Sequence, residues 1–284
     1  MRQDMVRHVP PPDRRRRRAL RSLLLSLLVL TPATAARGQS LEATVSVTAA
    51  ALRRSWQEDP LSRSLAFPGI RLVSPEHGRQ EWCTEAETPA IRESTAIHCR
   101  AGDEVLVNQD LLRANLHGDK AWAVAYWISI GLAEALVSRT SDPVDAGPAA
   151  ASLQATCLAA TLMSNAALQA PSSTQARLQP AMEAYPLSSA RWKGTGLQRG
   201  YAFLTGLGAT ESSCSRADML ALTASRVPDP SVLAALADLR RQGERGNTSL
   251  LAVLSSQCRP TPKAPCPRRL LRDPQAGRSG SGQR

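Results

Sequence analysis

The alternation of apolar and polar positions divides the chain into a helical majority and one short β-prone region. Residues 42–57 (EATVSVTAAALRRSWQ) place apolar side chains at helical spacing and predict a first helix. From Phe67 to Asn108 the texture changes, with Pro68, Gly69, Pro75 and Gly78 interrupting any long helix. Inside that stretch AIHC (Ala96–Cys99) and EVLVN (Glu104–Asn108) flank the polar turn Arg100–Asp103, which reads as a β-hairpin. Beyond it the periodicity is helical in segments 119–139, 147–168, 174–184, 194–207, 216–226, 229–242 and 247–256. SDPVDAGP (Ser141–Pro148) and VPDP (Val227–Pro230) are the clearest breaks between them. The predicted class is mainly α with a small β-hairpin.

Two of these segments lack a polar face. Helix 119–139 (DKAWAVAYWISIGLAEALVSR) is apolar on nearly every side from Ala121 to Val137, and helix 147–168 is similar. An all-round apolar helix belongs in a core or in a membrane. One acid inside the first helix, with Lys120 and Arg139 at its ends, favours the core, so no stable transmembrane helix is expected. That helix nonetheless carries a mid-helix glycine, Gly131, and the acid, Glu134. A buried carboxylate must be paired or hydrogen-bonded, or its pKa must rise until it is neutral.

Composition changes the picture mainly at the two ends. The chain of 284 residues carries +11 with a pI near 10.2. Residues 1–36 hold eight arginines against two aspartates, and residues 259–284 hold six arginines and one lysine against Asp273. Each end is therefore +6, and the body, residues 37–258, is left at −1. A nucleic-acid binder needs a basic stripe on its folded body, so no nucleic-acid partner is expected. The order of Arg14–Arg18, the apolar run Leu23–Leu30 and the small residues Ala33-Thr34-Ala35 is that of a secretory signal peptide, residues 1–36. Export to the periplasm or the extracellular space follows.

Residues 259–284 form a basic tail rich in Pro, Arg, Gly and Ser. Solubility is its simplest role, and contact with a protein or an anionic surface is the sharper one. The six cysteines, Cys83, Cys99, Cys157, Cys214, Cys258 and Cys266, all follow the signal sequence and include no C-x-x-C pair. Structural disulfides in an oxidising compartment are the better reading. Sequence proximity suggests Cys83–Cys99 and Cys258–Cys266, leaving Cys157–Cys214.

The order of these segments resembles the bacterial neutral zinc metallopeptidase family over residues 95–216. Four stretches carry the likeness: AIHC…EVLVN, AYWISIGLAEA (125–135), SLQATCLAA (Ser152–Ala160) and KGTGLQRGYAFLTG (Lys193–Gly206), followed by Cys214. The resemblance implies a single zincin-like domain over residues 37–258. In such a helix two histidines at i and i+4 share one face and hold zinc, and a glutamate beside the first activates the metal-bound water. Carried onto this chain, the first histidine is Ile130, the glutamate is Gly131 and the second histidine is Glu134. The downstream acids become Ser152 and Thr156.

Isoleucine offers no lone pair, and neutral hydroxyls are weak ligands beside imidazole, thiolate or carboxylate. Zinc, the cofactor of the family, is therefore expected to be lost, and the resemblance implies an exported pseudoenzyme with a binding or structural role. Two other readings stand beside it: an active metallopeptidase with a different ligand set, drawing on His98 or His117, and an envelope adaptor working through the basic tail. For Glu134 two placements are open: a hydrogen bond to Ser152 or Thr156 that fills the old metal pocket, or a helix edge facing water. Lys193, Gln198 and Arg199 form a polar set at a helix start, and Arg199 reads either as a brace to a carboxylate or as surface.

Overall fold

The computed structural model describes residues 40–74, 83, 93–116, 119–140, 147–166, 168–243, 245, 250 and 252–254. The signal sequence, the basic tail, Cys258 and Cys266, and most of segment 247–256 lie outside the described residues. The chain runs through α1 (Leu41–Glu58), β1 (Gly69–Val73), β2 (Ala96–Cys99), β3 (Glu104–Asn108), α2 (Gln109–Ala114), α3 (Lys120–Thr140) and α4 (Pro148–Asn165). It continues through α5 (Thr174–Glu183), a 3-10 turn (Leu187–Ser189), α6 (Ala190–Lys193), α7 (Gly196–Gly206), α8 (Arg216–Thr223) and α9 (Pro230–Gln242).

The helical expectation holds to within a few residues at most ends. The hairpin is present with the predicted boundaries, β2 pairing antiparallel to β3 around a turn in which Asp103 takes a positive φ of 49°. It is part of something larger. A third strand, β1, pairs parallel to β3 from Gly69↔Glu104 to Val73↔Asn108, giving a mixed sheet of order β1-β3-β2. The short run GIRLV sits between Pro68 and Pro75, so the breakers dominate the local pattern. Its partner is some 35 residues away in parallel register, a pairing no local turn announces.

Helix α3 is the axis of the fold. Trp122 to Ala133 are buried without a break, followed by Ala135 and Leu136. By length and composition it could cross a membrane, yet 78% of its apolar window lies inside the protein. Neighbours on every side explain this: α1, α4 and α5 pack around it, and β2 and β3 cover another face. Trp122 fixes its start by donating Nε1–H to Arg177 O at 3.0 Å.

The central strand β3 is buried on both faces, which is why EVLVN reads as a nearly continuous apolar run. Val105 and Val107 join the main core, whereas Val73, Ile97, Cys99 and Leu106 form a smaller cluster on the opposite face, with Cys83 against it. Two predicted disulfides are present, Cys83–Cys99 with Cα atoms 5.6 Å apart and Cys157–Cys214 at 5.5 Å. Such bonds persist in oxidising compartments and fit an exported protein.

Candidate functional site

Gly131 has a packing reason. A Cβ at this position would overlap Val105 Cγ1, so the missing side chain lets α3 lie directly on β3. Ile130, one residue earlier, is 3% exposed and belongs to the core. Neither residue reaches solvent. Glu134, one turn on, is the first break in the buried run: its side chain is 26% exposed.

The partners of Glu134 come from two other elements. Oε2 accepts the backbone N–H of His98 at 3.2 Å, and Oε1 faces Lys193 Nζ at 3.6 Å. The first contact follows from strand geometry. Asn108 donates its N–H to Thr95 O, so Thr95 turns toward β3 and His98, three residues on, presents its N–H to the outer edge. Glu134 thus caps the open edge of β2. Lys193 ends α6, and its ammonium also lies 5.1 Å from the Tyr185 ring centroid. Tyr185 packs edge-on against Trp127 at 5.6 Å. Burial, then the nearby Glu134 charge, push its hydroxyl pKa well above the usual tyrosine value, against the opposing pull of Arg199.

His98 continues the polar line. Its Nε2 lies 3.1 Å from Asp103 Oδ1, and its Nδ1 is 3.5 Å from Ser138 Oγ. Arg139 pairs with the same Asp103 carboxylate and donates to Ala66 O at 2.8 Å. Burial works to raise the Asp103 pKa, but hydrogen bonds from His98 and Arg139, with the Arg139 charge, outweigh it and hold the carboxyl below its ordinary range.

Of these groups Glu134, His98, Ser138, Tyr185 and Lys193 line a cleft of about 940 Å³. One wall is the β2 edge, the floor is the C-terminal half of α3, and the far side is the first turn of α4 facing the 185–193 segment. Of the five positions carried over from the peptidase motif, Glu134 and Ser152 reach the cleft. Ile130, Gly131 and Thr156 are core residues. The bonds of Glu134 go to His98 and Lys193, and Thr156 Oγ1 donates to Ser152 O within its own helix at 3.0 Å.

A zinc ion does not fit this donor set. The carboxylate of Glu134 is already engaged, on one oxygen by a cation. Among the described residues the imidazole beside it, His98, is turned to Asp103 and Ser138. Among the described residues no group of three or more His, Cys, Asp or Glu side chains could hold a metal, and His117 lies outside them. Three-ligand catalytic coordination needs more electron-pair donors than the described residues of this corner supply.

The Gln198-Arg199 pair proves to be neither surface nor a brace to a carboxylate. Arg199 is 2% exposed, and its guanidinium donates to Ala181 O, Gly194 O, Met182 O and Tyr185 O at 2.5–3.2 Å. It closes the C-terminal end of α5, where unpaired carbonyls and the helix dipole favour a cation. Burial lowers its pKa, opposed by the nearby tyrosines. Gln198 forms a capping box with Thr195 and sends Nε2 to Leu222 O and Thr223 O, both at 2.9 Å, at the end of α8.

Sequence reasoning gave no place in the site to Tyr185, Ser138 or Trp192. The sequence offers His98 as an alternative metal ligand and Lys193 as part of a polar helix start, without joining either to Glu134. Lys193 meets Glu134 from 59 positions away, a distance no spacing rule spans. No family model, curated protein or solved structure matches the chain.

Proposed function

We propose that this is an exported, non-catalytic relative of the neutral zinc peptidases whose cleft serves to bind rather than to cleave. One observation carries the reading. At the position where a peptidase helix would present its second histidine, Glu134 is tied to the β2 edge and to Lys193, while the two preceding motif positions are sunk in the core. The kinship itself rests on the order of the four motif stretches. Its localisation, periplasmic or extracellular, rests on the signal sequence, with the disulfides in keeping.

A scaffold that has lost water activation but kept an open cleft retains the means for recognition. The test is hydrolysis. The mature chain, residues 37–284, is incubated with casein and with a mixed peptide library, with and without added zinc, beside its Glu134→Ala variant. The expected result is no cleavage above the buffer control by either protein. Cleavage that disappears in Glu134→Ala would overturn the proposal.

A further inference from the structure

Trp192 is the exposed aromatic of the cleft. It lies on the 185–193 rim at 53% exposure, with the Arg191 guanidinium 5.0 Å from its ring centroid. On the rim of a cleft such a ring offers a flat apolar face to a ligand. The same cleft is lined by Ser138, Ser152, Ser189 and Gln154; Ser138 Oγ and Gln154 Nε2 donate to Ala135 O and Cys214 O, which leaves their oxygens as acceptors. Its volume falls within the roughly 300–1,000 Å³ of ordinary ligand sites.

Two features restrict the ligand. The carboxylates of Glu93 and Glu134 face the cleft together with Arg100, Lys193 and Arg216, so the lining has mixed sign and does not suit a polyphosphate. The outward N–H of His98, which an added strand would need, is already bonded to Glu134. An extended peptide laid along β2 would lose that rung. A chain of uncharged pyranose rings needs neither a single-signed lining nor a free strand edge. It offers an apolar C–H face to a tryptophan and paired hydroxyls to amide, hydroxyl and charged side chains.

We propose that the cleft beside Trp192 binds a short, uncharged oligosaccharide, with Trp192 as the stacking platform. This rests on the reading that the cleft is a binding site. The mature chain is titrated with chitotetraose, cellotetraose and maltotetraose by calorimetry and tryptophan fluorescence. At least one sugar is expected to bind one per chain with a Kd below roughly 1 mM. Trp192→Ala should weaken that binding by about tenfold or more, and Trp192→Phe should restore it to within about threefold. Circular dichroism checks that both variants fold.

Binding confined to chitotetraose would place the source among acetamido glycans, and binding of the glucose chains would place it among glucans; both support the proposal. No binding up to roughly 10 mM of any sugar overturns it, as does equal affinity in Trp192→Ala. Peptides or polyphosphate binding where the sugars do not would overturn it too. Cleavage of peptides would sink the non-catalytic reading while leaving sugar recognition standing, so the two fail separately.

Discussion

Two regions of this protein carry the proposed likeness to the peptidases, and the fold uses them differently. At α7, Gln198 and Arg199 match the motif, and both are occupied in closing helix ends, Gln198 at the start of α7 and the end of α8, Arg199 at the end of α5. At α3, the positions that would do chemistry read Ile130, Gly131 and Glu134, two of them packing groups and one a strand-edge cap. Under the proposed kinship, the matching residues do structural work and the unmatched ones are those that would do metal chemistry. The α7 region is also tied to α4 by Cys157–Cys214, with Gly206 so close to α4 that a Cβ there would overlap Cys157 O. The α3 end, by contrast, opens on a cleft.

The contrast predicts that damage near α7 costs stability, whereas damage at the cleft end of α3 costs much less. The largest effect should come from Cys157→Ala with Cys214→Ala. The bond spans 57 positions, and losing it should remove about 4 kcal/mol in the chain-entropy account, read as a lower urea midpoint. Next comes Arg199→Ala, which leaves four carbonyls without their donor. About 3 kcal/mol should be lost, and Arg199→Lys should recover only part, because an ammonium cannot reach all four. An unfolding midpoint unchanged by Arg199→Ala would erase the contrast.

Smaller effects sharpen it. Gly131→Ala should cost about 1–3 kcal/mol by overpacking against Val105. Measured in a Val105→Ala background the same change should cost clearly less, since the clashing methyl is gone. A glycine retained only as a relic would show no such coupling.

The smallest effect is at Asp103. Its folded pKa lies below the unfolded value, so its contribution is present above the ordinary aspartate range and fades as pH falls through the folded pKa. The side chain is 46% exposed, so solvent screening keeps the loss in Asp103→Asn under about 1 kcal/mol at neutral pH. The two proteins should converge in stability in acid. Divergence that grows toward low pH would reverse the sign of this assignment.

How far the sequence could be read follows the same division. The core helices and the hairpin were legible because apolar periodicity is local: α3 and α4 have no polar face, and EVLVN is uninterrupted. Strand β1 was hidden because its partner is parallel and distant. The site was half legible. Glu134 stood out as the one acid in an apolar helix, but its bonds to His98 and Lys193 depend on the tertiary approach of β2 and α6. The proposed contact to Ser152 or Thr156 assumed that two helices alone shape the pocket. Arg199 reads as a carboxylate brace or as surface because nothing local shows that the carbonyls of α5 and Gly194 converge on it.

The loss of the metal centre is the claim most directly open to measurement. Mature protein is dialysed against zinc at a free concentration of roughly 1 µM, and bound metal is then counted by mass spectrometry in the wild type and in Glu134→Ala. The account predicts well under one zinc per chain and no difference between the two proteins. One tightly held zinc per chain, lost when Glu134 is removed, would contradict it.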